Sequence, residues 1–520
     1  MDLEAPPAAV RLAEVLAALS LGIDLGFGQP MEHVLRQCRI ALRLAQLVDL
    51  DEQERATVYY TALLVNVGCH TDAHEQALWF GDDIALRATK YDHDPYSVGD
   101  VVAMLKLLGS GGTPLHRIRV GFDFAVSGRK EADGMMERHS QLARSLGEEL
   151  GLPEPVLASL MASYERWDGK GWPGTLAGDA IPMASRVTQL AEFSEVAFRA
   201  GGIDGAVEMA DRRSAKQFDP ALVEALRGDP EKVFHDLEAD GSWDVVISGE
   251  PTLAVLLSPA ELDEVLAAIA RFVDLKSPYT LGHSEAVAAL SARTAELLGA
   301  PEAEVDAVRR SGLVSGYGRL GVSNAIWDKA GPLTAGEWER VRLHPHFTER
   351  MLHQAAALAS AGGAAVQLRE RLDGSGYPRG LDGAAISRDG RVLGAADAYQ
   401  AMCEPRPHRE PLLAQEAADQ LRAEGRAGRL DPDVVDAVLE AAGHRRSRRQ
   451  RGPGGLTNRE VEVLRLLVLG LSNKEMAARL VIAPKTVGNH VEHIYTKIGA
   501  SNRAGASLYA MRHGLLPVEP

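Results

Sequence analysis

Cysteine, long apolar runs and strand-like alternation are all scarce in this sequence, and each shortage excludes something. Only three cysteines occur in 520 residues, Cys38, Cys69 and Cys403; they are too few and too far apart for a disulfide framework. Apolar runs are broken by charge well before the roughly 18 residues that a membrane span needs, so no membrane partner is expected. The opening residues, Met1-Asp-Leu-Glu-Ala-Pro-Pro, show no basic run followed by an apolar stretch, and a cytoplasmic protein is predicted. Period-two alternation is almost missing, while Ala and Leu dominate, which predicts an all-α fold. No Gly-x-Ser-x-Gly elbow occurs, and the loop Gly109-Ser-Gly-Gly112 has no P-loop lysine behind it.

What is present is ordinary in amount and uneven in placement. With 46% apolar and 25% charged residues, the chain has globular composition and length for about three domains. The net charge is −16. From His444 to Pro520, however, 13 Lys and Arg face 5 Asp and Glu, so the tail carries 13 − 5 = +8 and the remainder −24. A basic tail on an acidic body fits nucleic-acid contact confined to the C-terminus. Helix starts are written clearly: Ser258-Pro-Ala-Glu261 and Thr334-x-x-Glu337 are capping boxes, and Asp219-Pro220 and Asp431-Pro432 pair a cap with a first-position proline.

In the tail, Val487, Val491, Ile494 and Ile498 recur at helical spacing and must face inward. Lys485, Thr486, Asn489, Glu492, His493 and Lys497 fall on the other face, where they can meet phosphates and base edges. The boxes Thr457-x-x-Glu460 and Ser472-x-x-Glu475, the turn Val481-Ile482-Ala483 with Pro484 after it, and a last helix over Asn502–His513 complete four short helices. This is the pattern of a helix-turn-helix whose third helix enters the major groove. The stretch LTNREVEVLRLLVLGLSNKEMAARLVIAPKTVGNHVEHIYTKIGASNRAGA resembles the LuxR-type DNA-binding domain from Leu456 to about Leu516. The resemblance places Lys485, Thr486, Gly488, Asn489 and Glu492 on the recognition helix, and His493, Lys497 and Arg503 join them as candidate DNA contacts. Asn pairs with the adenine edge and a carboxylate accepts from the cytosine amino group. Gly488 stands where many relatives carry a basic residue. Ala483 stands where a capping serine is usual, at a cost of about 1 kcal/mol.

The body repeats itself. Glu165-Arg-Trp-Asp-Gly-Lys-Gly-Trp-Pro173 matches Glu370-Arg-Leu-Asp-Gly-Ser-Gly-Tyr-Pro378, with His139 falling on His344; further upstream His33 matches His283 and Gly68 matches Gly318. The change of offset implies an insert of about 45 residues in the first copy. Its histidines and aspartates (His70, His74 and His93 with Asp72, Asp82, Asp83, Asp92 and Asp94) fit no metal spacing, so a solvated insert is expected. The segments LGHSEAVAAL, LVSGYGRLGV, WDKAGPLTAGEWERVRLHP, ERLDGSGYPRGLDGAAI and ADAYQAM resemble an HD-GYP domain over residues 259–440. That resemblance implies a bimetallic phosphodiesterase that opens cyclic di-GMP. It also exposes losses: Ser315-Gly316 stand at the HD dyad, Arg319 at the following lysine, and Leu368-Arg369 at the paired histidines. In the first copy the dyad is Val65-Asn66 and the pair is Ser163-Tyr164. His283, His344 and Asp397 remain in one copy, and His33, His139 and Glu192 in the other.

The expectation is therefore a regulator with two tandem degenerate HD-type helical domains (1–228, with an insert at about 70–135, and 259–442), a connector (229–258), a basic Gly/Pro linker (443–455) and a four-helix DNA-binding domain (456–520). No catalytic residues, metal or cofactor are assigned, and no enzyme activity is expected. His283, Arg319, His344, Arg369, Asp397 and Tyr377 form a candidate ligand pocket. Two readings of Arg369 stand: a cation replacing the metal by pairing with Asp397 or gripping phosphate, or a solvated side chain. For Gly376-Tyr377-Pro378 the choice is a packing hinge or a base-stacking loop. Expected partners are double-stranded DNA, a second copy of the chain, and a small-molecule or nucleotide effector. The rival is a cyclic di-GMP phosphodiesterase with a DNA-targeting tail.

Overall fold

The computed structural model describes residues 10–91, 129–237, 242–252, 254–445, 453–480 and 482–516. The chain forms two compact units, Met1–His444 and Arg445–Pro520, and both are helical. Among the described residues the only strands are β1 (Val10–Arg11) and β2 (Leu256–Leu257), which pair antiparallel with Val10 opposite Leu257. No described helix is long and apolar enough to cross a membrane.

Ten helices of the body position the site: α1 (Leu12–Gly26), α2 (His33–Leu47), α3 (Glu52–Leu64), α4 (Arg129–Glu149), α5 (Met183–Arg213), α6 (Pro259–Asp274), α7 (His283–Leu297), α8 (Glu302–Val314), α9 (His344–His353) and α10 (Arg388–Cys403). The start signals act as read. Ser258 accepts from Glu261 N and Glu261 reaches back to Ser258 N, and Thr334 with Glu337 does the same. The largest core runs through both halves, from Leu12, Leu16 and Leu35 to Ile269, Leu320 and Met351, and a separate one in the second half gathers Val308, Val392, Leu421 and Val438. α1 fits the second half closely enough that a side chain at Gly22 would collide with Met351. The connector also joins this core, through Phe234, Trp243 and Val246.

Equivalent positions of the two halves carry equivalent contacts. A Cβ on Gly68 would strike the His139 carbonyl, and one on Gly318 the His344 carbonyl. Glu165 accepts from the backbone N–H of Gly174, Thr175 and Leu176, and Glu370 from those of Arg379 and Leu381. Gly171 and Gly376 each press so closely on the backbone of these glutamates that no side chain fits.

The described part of the insert departs from the solvated expectation. His70 is buried between the carbonyls of Val67 and Phe272. Asp83 is fully buried, paired with Arg87 at 2.6 Å and Lys276 at 3.4 Å, and accepts from Ser323 and Asn324. His74 meets Asp328 at 2.8 Å. These polar groups bridge the two halves, and His70 and Asp83, buried from water, must find their partners within the protein. Asp92, His93, Asp94 and the Gly109–Gly112 loop lie outside the described residues, as does most of the basic linker.

The second unit comprises α11 (Asn458–Val468), α12 (Asn473–Leu480), α13 (Pro484–Ile498) and α14 (Arg503–Arg512) around Leu464, Met476, Val487, Ile494 and Ala510. Thr457 with Glu460 and Ser472 with Glu475 form the capping boxes, and Asn502 caps α14. Ala483 leaves the start of α13 without a side-chain cap, and Pro484 takes its first turn.

Candidate functional site

The second-half centre is built from the start of α7. Asp274, at the end of α6, accepts from both the backbone N–H and the hydroxyl of Ser284, each at 2.8 Å. Gly282, at φ 72°, lets the chain turn into the helix. Together they aim His283 inward. The first half uses the same device: Asp24 accepts from Val34 N and precedes His33, but there the left-handed residue is Glu32, at φ 75°.

His283 lies between two carboxylates, with Nδ1 2.7 Å from Glu404 and Nε2 3.2 Å from Asp397. Arg369 pairs with Asp397, Nη1 to Oδ2 at 2.7 Å and Nη2 to Oδ1 at 3.4 Å. Burial alone would raise the Asp397 carboxyl; the Arg369 guanidinium and the His283 hydrogen bond outweigh it and hold the group well below the usual range. Burial would lower His283, but the hydrogen bonds to Asp397 and Glu404 overcome that and raise it. Arg406 closes the chain of charges on Glu404 at 2.8 Å.

His344 is the opposite case. Its Nδ1–H donates to the Val341 carbonyl at 2.7 Å, and burial, followed by repulsion from Arg369, pushes its pKa down to about 3. The neutral ring meets Trp327 and Tyr377 edge-on, at 5.4 and 6.0 Å. Arg319 lies over Trp327 at 5.1 Å, lowered to about 10 by burial and next by Arg406. The structure thus brings His283, Arg369 and Asp397 into direct contact and sets Tyr377 on His344. Arg319 interacts with Asp397 electrostatically.

The first-half centre has other members. Lys90 Nζ meets Glu192 at 2.6 Å and Asn66 Oδ1 at 3.1 Å, while Asn66 donates to Glu192 at 2.8 Å. Tyr91 donates to Glu192 at 3.0 Å and stands 3.3 Å from His33 Nε2. Rings of Phe27, Tyr91, Tyr164 and Phe193 surround the ammonium at 5.5–5.9 Å. His33 Nδ1 bonds to Glu195 at 2.5 Å, and His139 Nε2 lies 2.7 Å from Asp72.

The metal pair implied by the HD-GYP resemblance does not fit these residues. Leu368 is packed between Val287 and Leu393, Gly316 has no side chain, and a Cβ there would sit 3.1 Å from Ser284 Oγ. Both nitrogens of His283 already face carboxylates. Among the described residues, no three His, Cys, Asp or Glu side chains are grouped to hold a metal ion.

On the DNA-binding unit, Lys485, Thr486, Asn489, Glu492 and His493 are exposed along α13, and Gly488 is half-buried beside Asn473. Lys497 is placed differently: its ammonium pairs with both oxygens of Glu460 at 2.8 Å. Arg503 donates to the Leu471 carbonyl. Lys497 therefore ties α13 to α11, and Arg503 ties the start of α14 to the loop between α11 and α12. Sequence reading missed Lys90, Tyr91, Glu195, Glu404 and Arg406 as members of the centres; the only available signal was that Lys90 and Tyr91 lie in the insert of the first copy.

Comparison with known proteins gives the setting. Residues 267–434 match the HD domain family, and residues 455–510 match the bacterial regulatory proteins of the luxR family. A 3′3′-cGAMP-specific phosphodiesterase 3 of Vibrio cholerae is 32% identical over 435 residues, covering 83% of this chain and 94% of the relative. A cyclic di-GMP phosphodiesterase of Thermotoga maritima is 33% identical over 183 residues, covering 35% of this chain and 48% of the relative. The crystal structure of a cyclic GMP-AMP-specific phosphodiesterase of V. cholerae superposes with a TM-score of 0.59 at 28% identity, covering 84% of this chain and 98% of that one. These relatives overturn the expectation that the chain is no enzyme. That expectation rested on missing ligand side chains alone, whereas the likeness to phosphodiesterases extends along nearly the whole body.

Proposed function

The chain belongs to the HD-domain family of the 3′3′-cGAMP-specific phosphodiesterases, and on that premise we propose that its body takes a 3′3′-linked cyclic dinucleotide while its luxR-type tail reads double-stranded DNA. The observation that carries the reading is the match along 94% of a cGAMP-specific relative, joined to a luxR-family domain that this relative's length does not account for. In this reading residues 1–228 and 259–442 are tandem HD-type domains. His283, Arg319, His344, Arg369, Asp397 and Tyr377 line the nucleotide pocket, with Arg319 and Arg369 offering charge to the phosphates and Tyr377 a face to a base. The DNA-bound form is a homodimer, for which α14 offers exposed Leu508 and Met511.

Calorimetry of the full chain against 3′3′-cGAMP and cyclic di-GMP tests the body. Saturable binding of either supports the reading, and binding of neither overturns it. Opening of the bound phosphodiester is a second reading, favoured by the phosphodiesterase relatives; it predicts linear dinucleotide in the same mixtures. Selection of DNA sites by the full chain tests the tail. Asn489→Ala should then lose about 1–3 kcal/mol of discrimination at one base pair. Lys485→Ala should weaken all sites alike and reduce the salt slope by about 1.

A further inference from the structure

The two centres share a feature that the missing ligands alone would not produce. Each keeps one deeply buried carboxylate at a former ligand position, Glu192 in the first half and Asp397 in the second, both 2% exposed. A buried carboxylate without a cation is strongly disfavoured. In the first half an ammonium sits on it: Lys90 Nζ bonds Glu192 and Asn66, two residues at ligand positions, from within the aromatic ring of Phe27, Tyr91, Tyr164 and Phe193. In the second half a guanidinium does: Arg369, itself at a ligand position, lies against Asp397.

The two cations come from unrelated places in the repeat. Lys90 lies in the short turn Thr89–Tyr91, part of the stretch found in the first copy alone. Arg369 stands where the second of the paired histidines is expected. The position equivalent to Arg369 in the first half is Tyr164, whose ring faces Lys90 at 5.7 Å. One half thus puts an aromatic where the other puts its cation, and brings the cation in from elsewhere. Two different routes to the same charge balance indicate compensation.

We infer that Lys90 and Arg369 are resident counter-ions that replace the divalent cations of the family, so that the body of this protein holds its buried carboxylates and folds without bound metal. This concerns the charge balance of the fold and stands apart from which nucleotide the body takes.

The test is thermal unfolding of the full chain with and without Mn²⁺, together with metal analysis of the purified protein. The wild-type chain is expected to hold less than one equivalent of transition metal and to melt at the same temperature in EDTA and in Mn²⁺. Lys90→Met and Arg369→Ala are each expected to lower the midpoint by several degrees. The paired variants Lys90→Met/Glu192→Gln and Arg369→Ala/Asp397→Asn should recover most of the loss, because the carboxylate that needed the cation is gone. Two equivalents of tightly bound metal in the wild type with a raised midpoint would overturn the inference. So would single variants that melt like the wild type, or paired variants that melt no higher than the single ones. If a single variant does not fold, the wild-type metal titration and the paired variant still decide.

Discussion

The two halves of the body solve one electrostatic problem with different degrees of closure. In the first, Lys90 meets an acceptor pair and a ring of four aromatics, and among the described residues no second cation bonds its carboxylate Glu192. In the second, Asp397 is shared by Arg369 and His283, and His283 is held in turn by Glu404. The first centre is a plug; the second is a chain of alternating charges with Arg319 at its edge. Helices are specified locally and recur in both halves whatever fills the centre between them. That centre can be filled by any group of the right charge that packing delivers.

Unequal loss on removing the two cations is the strongest test of this difference. Lys90→Met leaves Glu192 buried and unpaired and should cost about 3–5 kcal/mol. Arg369→Ala should cost less, about half as much, because His283 still faces Asp397. Urea unfolding of the two variants checks the ordering, and equal losses would remove the distinction.

The equivalent histidines should titrate in opposite senses. His344 is held neutral, near pKa 3 against an ordinary value of about 6.5. The unfolded chain therefore takes up that proton first, and stability falls as pH drops from about 6.5 towards 3. His139 is raised: burial would lower it, but Cys69 and Asp72 outweigh burial. Its contribution is complete below about 6.5 and is lost as pH rises through the higher folded value. Stability–pH curves of His344→Gln and His139→Gln should flatten on the acid and the alkaline side respectively.

The glutamates that hold the two glycine-rich loops differ by degree. Glu165 accepts from three backbone N–H groups and the Thr175 hydroxyl, Glu370 from two backbone N–H groups. Glu165→Gln should cost about 2–3 kcal/mol and Glu370→Gln about 1–2, read by chemical denaturation. The smallest effect lies outside the body. Ala483→Ser supplies the cap that α13 lacks and should stabilise the DNA-binding unit by about 0.5–1 kcal/mol, whereas Thr457→Ala should remove a similar amount from α11.

Much of the fold was legible because its signals are local. Ser258, Thr334, Thr457 and Ser472 start helices where their partner glutamates lie three residues on, and the inward stripe of α13 follows from a period that no neighbour can alter. The helical wheel that placed Val487 and Ile494 inside also placed Lys497 outside, among the residues expected to meet DNA. In the fold its ammonium also bonds Glu460, which completes the cap of another helix. Nothing within one helix announces the charge of the next. The insert misled for the same reason: a run of His, Asp and Gly reads as solvated, yet Asp83 and His70 lie between two halves whose packing the sequence does not display.

By itself, then, the sequence determined the all-helical class, the luxR-type unit with its exposed polar face, and the likeness between the stretches around Glu165 and Glu370. Each of these depends on residues within a few turns of one another, or on direct likeness between stretches. The tertiary structure alone decided which cation meets which carboxylate. Lys90 and Glu192 are 102 residues apart and Arg369 and Asp397 are 28 apart, and in a water-poor interior the pairing is fixed by whichever group the packed helices bring within reach.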